Sequence, residues 1–351
     1  MKKKELVGVK EIARRANVSI ATVDRVLNNR TGVSQKTKEK ILEIIKELDY
    51  QPNIMARRLA SRKTLKYAAL IPSASSETDY WNAPLNGIKQ AATEIKDYGI
   101  SVKVFFFNQN DKQTFVNAGS QIIKEEFDGV LLAPMFEEES IEFITICKEK
   151  QIPFVFINSD IEDQNSLCYI GPNLYQSGYL AAHLTKYLVE EGQNILVVNI
   201  SKEIDVHHHL LRKEEGFRAY YNTTLRNINL SKIDIRETDY NSVKSRIATW
   251  LTEHNADLIF VTNSRVSAIA RYLEESNQKY IKLIGYDFLE ANIEYLKKGS
   301  IDFLICQKPQ EQGYKGIMAL YSHLVHSVPV EKEQFMPIDI ITKENYIYYK
   351  N

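Results

Sequence analysis

Two hydrophobic periods divide this chain. Over residues 9 to 49 apolar side chains recur every three or four positions, the spacing that gives a helix one buried face. Val9, Ile12, Ala13 and Ala16 predict a first short helix over Lys10 to Ala16. Val23, Val26 and Leu27 predict a second from Ile20 to Asn28, and Ile41, Ile44, Ile45 and Leu48 a third from Gln35 to Asp49. From Lys66 the pattern changes. Strand-length apolar runs (YAALIP, VKVFFF, GVLLAP, IPFVFIN, NILVVNI, DLIFVT, IKLIGYD, FLICQ) are mostly separated by helical stretches of roughly 12 to 18 residues. Near-continuous apolar strands alternating with amphipathic helices imply parallel sheets covered on both faces. The span is long enough for two such sheets.

The punctuation between the first two helices is informative. Asn17 tolerates the left-handed backbone of a tight turn, and Ser19 stands where a hydroxyl can accept from an orphan amide of the next helix. The second helix has two unlike faces. Opposite its apolar side lie Ile20, Ala21, Asp24, Arg25 and Asn28. A solvent face would be more charged and would not carry an isoleucine. Base edges suit this mixture: Arg25 can fork onto guanine, Asn28 can pair with adenine or a phosphate, and Ile20 or Ala21 can touch a thymine methyl. Ser19 and Thr22 belong to the same DNA-facing set. Ser34 can cap the third helix, where Lys36 and Thr37 can reach phosphates. Tyr50-Gln51-Pro52-Asn53 then breaks the helical pattern.

Charge sharpens the division. The whole chain is formally neutral, but residues 1 to 64 hold 16 Lys or Arg against 7 Asp or Glu, and the remainder holds 29 against 38. A basic head on an acidic body fits a DNA reader attached to a sensor. Cys147, Cys168 and Cys306 are an odd number, widely spaced inside apolar runs, and read as buried thiols rather than a disulfide set. No apolar run approaches the roughly 20 residues of a membrane span. The three lysines after Met1 are not followed by the apolar region of a signal peptide. The expected location is the cytoplasm.

These segments together, VKEIARRANVSIATVDRVLN, VSQKTKEKI and LDYQPNIMARRLA, resemble the lactose-repressor (LacI) family of transcriptional regulators in order and spacing. The departures are Asp24, where the family usually has serine, and Ile20 and Ala21, where larger polar residues are common. The resemblance implies an all-α helix-turn-helix headpiece over residues 1–52 and a hinge helix and linker over 53–64. Behind them it implies an α/β periplasmic-binding-protein-like body of two lobes over 65–351, which senses a ligand and dimerises. It also implies that the hinge orders when two copies meet on DNA. The hinge residues make physical sense of this: Ala56 and Ala60 permit close backbone approach, Leu59 is an apolar wedge for the minor groove, and Arg57 and Arg58 supply phosphate contacts. Tyr50 and Asn53 flank it and complete the expected DNA-contacting set.

In parallel sheets, binding residues gather at the carboxyl ends of strands. After YAALIPS come Tyr80 and Trp81, exposed-type loop aromatics suited to stacking on the apolar face of a sugar ring; Trp81 could equally pack between lobes. After the other runs come Asn158 and Asp160, Asn263, Asp287 in a GYD motif, and Gln307. Each could instead cap a following helix, and Asn263 and Asp287 sit where an N-cap would fall. The resemblance places a polar ligand contact at Asn158. It places an arginine four residues before the aromatic of a Gly-Phe pair; here that position is Lys213, with Arg212 beside it. Lysine is a point charge and cannot fork onto two hydroxyls, so either Lys213 takes the role or a small shift brings in Arg212. Tyr175 follows the GPN segment and is a further candidate for the cleft.

His207, His208 and His209 invite a metal reading, but adjacent positions diverge on a helix and lack zinc-ligand spacing. Neither a metal nor a cofactor is expected, and the histidines read as a loop entering a helix over Leu210–Tyr221. The leading function is a DNA-binding transcriptional regulator acting as a homodimer, with room for a tetramer, on a partly palindromic double-stranded operator. Its effector would be a small molecule, best guessed as a carbohydrate. A transport-type solute-binding protein would suit the body but not the basic head. A glycosidase using Asp160 and Asp287 as a carboxylate pair lacks any supporting G-x-S-x-G, P-loop or H-E-x-x-H motif.

Overall fold

In a computed structural model the described residues are 9–27, 31–48, 50, 64–75, 78–202, 204, 208–224 and 227–351. The chain falls into two compact units, residues 1–63 and 64–351.

The first unit holds α1 (Val9–Ala16), α2 (Ile20–Leu27) and α3 (Gln35–Glu47). Ile12, Ala13, Ala16, Val23, Val26, Ile41 and Ile44 form its core, with Tyr50 half-buried against it. The expected punctuation is present. Asn17 takes φ 57° in the turn. The Ser19 hydroxyl accepts from the Thr22 amide at 3.1 Å, and Ser34 does the same for Thr37 at 3.3 Å. Lys40 donates to the Ala16 carbonyl at 3.0 Å, tying α3 to an open carbonyl at the end of α1. The expected hinge over 53–64 lies outside the described residues except for Thr64.

The second unit contains two six-stranded sheets. β1 (Leu65–Pro72), β2 (Ile100–Phe107), β3 (Gly129–Leu132), β4 (Phe154–Ile157), β5 (Cys168–Gly171) and β11 (Glu333–Phe335) make one, ordered β11-β5-β4-β3-β1-β2 and parallel throughout. β6 (Asn194–Ile200), β7 (Asn229–Ile235), β8 (Leu258–Val261), β9 (Lys282–Tyr286), β10 (Phe303–Cys306) and β12 (Asp339–Ile341) make the other, ordered β12-β10-β9-β8-β6-β7. Here β12 runs antiparallel to β10, so the second sheet is not purely parallel as the pattern implied.

The helices that cover the sheets include α4 (Asn82–Ile95), α5 (Lys112–Glu125), α6 (Glu137–Glu149), α7 (Leu174–Thr185), α8 (His208–Thr224), α9 (Tyr240–Glu253), α10 (Val266–Glu275), α11 (Glu290–Lys298) and α12 (Pro309–His326). The chain passes between lobes three times: from β5 into α7, from β10 into α12, which packs back on the first sheet, and from β11 into β12. In each sheet the strand order reverses beside the first strand, between β1 and β3 and between β6 and β8. A crevice opens at such a switch point, and here the two crevices face one another.

β5, β7, β11 and β12 are not among the apolar runs. β7 is an edge strand left mostly exposed or half-buried, so its sequence NLSKIDI never becomes continuously apolar. β11 and β12 have only three residues each.

Candidate functional site

The interlobe cleft holds a cavity of about 60 Å³, smaller than the roughly 300–1,000 Å³ of an open small-molecule site. Most of the walls descend from strand ends. Lobe one contributes Thr78, Tyr80 and Trp81 after β1, Gln109 and Asn110 after β2, Met135 after β3 and Asn158 after β4. Lobe two contributes Ser201 after β6, Asn263, Ser264 and Arg265 after β8, Asp287 after β9 and Gln307 after β10, with His209 and Lys213 from α8. Thr78 and Ser264 meet across the cleft, hydroxyl to hydroxyl at 3.1 Å, so the lobes are drawn together.

Seven of the ten residues expected to bind a ligand converge here: Tyr80, Trp81, Asn158, Lys213, Asn263, Asp287 and Gln307. The other three do not. Asp160, Tyr175 and Arg212 line a separate groove with Tyr169 and Phe335, and Arg212 pairs with Glu162 at 3.3 Å. The geometry therefore brings Lys213, not Arg212, into the cleft, where Arg265 is a second basic side chain. It also separates Asp160 from Asp287, which removes the carboxylate pair a glycosidase would need. Tyr80 and Trp81 correct a second expectation. They are 7% and 4% exposed, not loop aromatics open to solvent, and pack edge to face with centroids 5.2 Å apart. The Tyr80 hydroxyl donates to Asn158 Oδ1 at 2.8 Å.

Lys213 and Asp287 set the electrostatics. Both are nearly fully buried. Burial pulls the Lys213 ammonium down to about 8 against the attraction of Asp287. Burial likewise raises the Asp287 carboxyl to about 6, against the opposing pull of Lys213. The Lys213 ammonium donates to the Thr262 carbonyl at 3.3 Å and lies 3.7 Å from the Tyr286 ring centroid. Among the described residues, Asp287 Oδ1 is buried with no hydrogen-bond partner, and so is Gln109 Nε2.

Asp287 does not cap a helix. Its φ is 76°, and α11 begins after Leu289. Asn263 has a local role: its Oδ1 accepts from the Arg265 amide at 3.2 Å and its Nδ2 donates to the Ile200 carbonyl at 2.7 Å. Gln307 donates to Ser177 at 3.2 Å, and Ser177 in turn meets the Tyr286 hydroxyl at 2.9 Å. Asn292, fully buried on α11, donates to the carbonyls of Ser264, Tyr286 and Asp287 at 3.0–3.1 Å and accepts from the Ser267 amide at 3.2 Å. One side chain thus fixes two of the loops that build the cleft.

Gln109, Asn110 and Ser201 escape the sequence reading although they carry the same signal as the residues it finds: each comes after an apolar strand run. Met135, Ser264 and Arg265 follow apolar runs in the same way, whereas Thr78 lies further from its strand. His209 belongs to the histidine run expected as a loop, but α8 begins at His208, within that run.

A second surface lies on the headpiece. Ser19, Ile20, Ala21 and Arg25 are exposed and Thr22 and Thr37 are half-buried; Ile20, at 50%, is the least explicable by packing. Asn28, Asn53, Ala56, Arg57 and Leu59 lie outside the described residues.

Residues 68–327 match the family described as periplasmic binding protein domain, and residues 8–53 match the lacI family of bacterial regulatory proteins. The HTH-type transcriptional regulator RegA of Clostridium acetobutylicum is 31% identical over 187 residues, 53% of this chain and 52% of that protein. The chain spans about half the length of the first curated relatives it matches. A crystal structure of a protein assigned as a LacI transcriptional regulator from Bacteroides fragilis superposes with TM-score 0.73 at 31% identity, covering 82% of this chain and all of that one. An ABC transporter solute-binding protein from Burkholderia graminis, solved with D-arabinose, shares the fold at 20% identity and TM-score 0.73, covering 82% of this chain and 99% of that one. A headpiece of that type ahead of a two-lobed binding domain, matched along the whole of a solved relative, places this chain in the lacI family of bacterial regulatory proteins.

Proposed function

We propose that this protein is a sequence-specific, DNA-binding transcriptional regulator, not an enzyme, whose operator affinity is set by a small polyhydroxyl effector in the interlobe cleft. The observation that carries the effector class is the pair of buried, unpartnered atoms: the acceptor Asp287 Oδ1 and the donor Gln109 Nε2. An unsatisfied buried polar group costs about 1–3 kcal/mol, so the cleft favours an occupant that both donates and accepts. A sugar hydroxyl does both, and the indole of Trp81 offers a face for its C–H groups. The solute-binding neighbour that holds D-arabinose has the same two-lobe design. Lys213, Asn158, Asn263 and Gln307 supply the remaining polar contacts.

On the headpiece, Ile20, Ala21 and Arg25 enter the major groove, while Ser19, Thr22, Thr37 and Tyr50 fix its register on the backbone. Two copies bind adjacent half-sites as a homodimer. The effector acts through its unequal affinity for two arrangements of the lobes, and by reciprocity operator DNA alters effector affinity by the same factor.

The test is a thermal-shift screen of neutral and acidic monosaccharides on the full chain. The best hit is then titrated into a complex with duplex DNA selected from a random pool. A hit should change operator affinity by about 5- to 150-fold, and binding should weaken steeply with salt. Selection of no preferred duplex rejects the regulator reading. Stabilisation without any effect on DNA binding rejects the effector reading alone.

A further inference from the structure

The passage from β10 to α12 carries an unusual residue. Lys308, at the crossover between lobes, has φ 50° and ψ 54°, the left-handed conformation that non-glycine residues rarely adopt. It precedes α12 without making a side-chain cap. Such a backbone persists only where the surroundings over-determine it.

The surroundings do so through the ammonium group. Lys308 Nζ donates to the Lys350 carbonyl at 2.7 Å, lies 4.1 Å from the centre of the Tyr349 ring, and stands 3.5 Å from Asp339 Oδ2. Asp339 opens β12, directly after a second crossover. The Tyr349 ring in turn packs on Phe288, centroids 4.7 Å apart. Phe288 comes directly after Asp287, itself at φ 76° in the cleft. A single cation therefore joins two of the three interlobe passages to the segment around Tyr349, which rests against the loop carrying the cleft carboxylate.

We infer that Lys308 and Tyr349 form a hinge staple, and that Lys308 is a positioning residue that holds the lobes in the drawn-together arrangement. Rotation of one lobe against the other requires backbone change at the crossovers, and the contacts of Lys308 are satisfied with its backbone left-handed. Without them the crossover relaxes toward the common φ region and the drawn-together population falls. Effector affinity falls with it, because apparent affinity scales with the competent fraction. The inference concerns lobe closure and does not depend on what fills the cleft.

Trp81 supplies a readout that needs no effector. It lines the cleft at 4% exposure, and the chain has only one other tryptophan, Trp250. In a Trp250→Phe background, acrylamide quenching of Trp81 reports access to the cleft. Lys308→Met and Tyr349→Leu should each raise the quenching constant at least about twofold, at a temperature far below melting and with unchanged far-UV circular dichroism. Lys308→Arg, which keeps a donor and a cation over the ring, should stay near the parent. Lys308→Gly, which removes the ties but holds a left-handed backbone without strain, should fall between Lys308→Met and the parent. Parent-like quenching in Lys308→Met overturns the staple. So does parent-like quenching in Lys308→Gly, which would reduce the matter to local backbone strain. Should Lys308→Met fail to fold, Tyr349→Leu alone decides: unchanged quenching there overturns the inference.

Discussion

Gly178 and Lys213 meet backbone to backbone: a Cβ on Gly178 would lie 1.8 Å from the Lys213 carbonyl oxygen. The reverse contact is equally close, since a Cβ on Gly216 would lie 1.9 Å from the Tyr175 carbonyl oxygen. Two glycines therefore set how near α7 and α8 approach, and α8 delivers Lys213 to the cleft. Gly178→Ala should push α8 outward. Overpacking of this kind costs about 1–3 kcal/mol, read as a lower urea midpoint. Effector affinity should fall with it, whereas an exposed-site control such as Tyr187→Ala should alter neither. An unshifted urea midpoint in Gly178→Ala would show that the helices can part freely.

Asn292 is the second structural determinant of the cleft. Its amide nitrogen serves three carbonyls of two loops. Asn292→Ala leaves those buried acceptors short of a donor, at about 1–3 kcal/mol for an unsatisfied group. Asn292→Asp should be no better at neutral pH, because a carboxylate cannot donate to carbonyls. Both variants should melt lower than the parent and bind effector less well. Retention of full effector affinity by Asn292→Ala would mean that the loops hold themselves.

The headpiece was legible because its signals are local. Asn17, Ser19 and Ser34 act within a few residues of themselves, and the apolar stripe of each helix is visible in its own sequence. The body was legible as strand and helix order, and the polar residues just beyond the strand ends included Asn158, Asn263, Asp287 and Gln307. Strand order was not enough where contact depends on the other lobe. Asp160 lies just beyond β4 as Asn158 does, yet lines another groove. Arg212 and Lys213 are neighbours in sequence, but one helical step, about 100°, sends them to different surfaces. The burial of Tyr80 and Trp81 and the role of Asn292 arise from distant segments, and no periodicity announces them.

The opposed charges of the cleft give a pH signature. Between the ordinary carboxyl value of 3.8 and about 6, the folded chain retains a proton on Asp287 that the unfolded chain has released. Stability therefore falls as pH rises through that window. Between about 8 and 10.5 the unfolded chain retains a proton on Lys213 that the folded chain has released, so stability rises with pH there. Other groups titrate in both windows, so the informative quantity is a difference. Relative to Asp287→Asn, the effector-free parent should lose on the order of 1–3 kcal/mol between about pH 4 and 6.5, measured by urea unfolding at each pH. Parallel curves would show that Asp287 is not held protonated in the fold.

The exposed face of α2 makes a prediction in which stability and function part. Arg25 and Ile20 are exposed and contribute nothing to the buried headpiece core. Truncating either should leave the melting temperature of the chain near that of the parent. Their effects on DNA should differ in kind. An arginine forked onto guanine is worth about 1–3 kcal/mol of discrimination, so Arg25→Ala should bind the selected operator about 5- to 150-fold more weakly. It should also tolerate any base at one position of each half-site. Ile20→Ala should lose less affinity, with relaxed preference at a thymine. Ser19→Ala should instead lower both stability and DNA binding, because its hydroxyl caps α2. The experiment is a comparison of duplex pools selected by each variant at fixed salt. If Arg25→Ala selects the same pool as the parent, with uniformly weaker binding, then Arg25 touches phosphate rather than base.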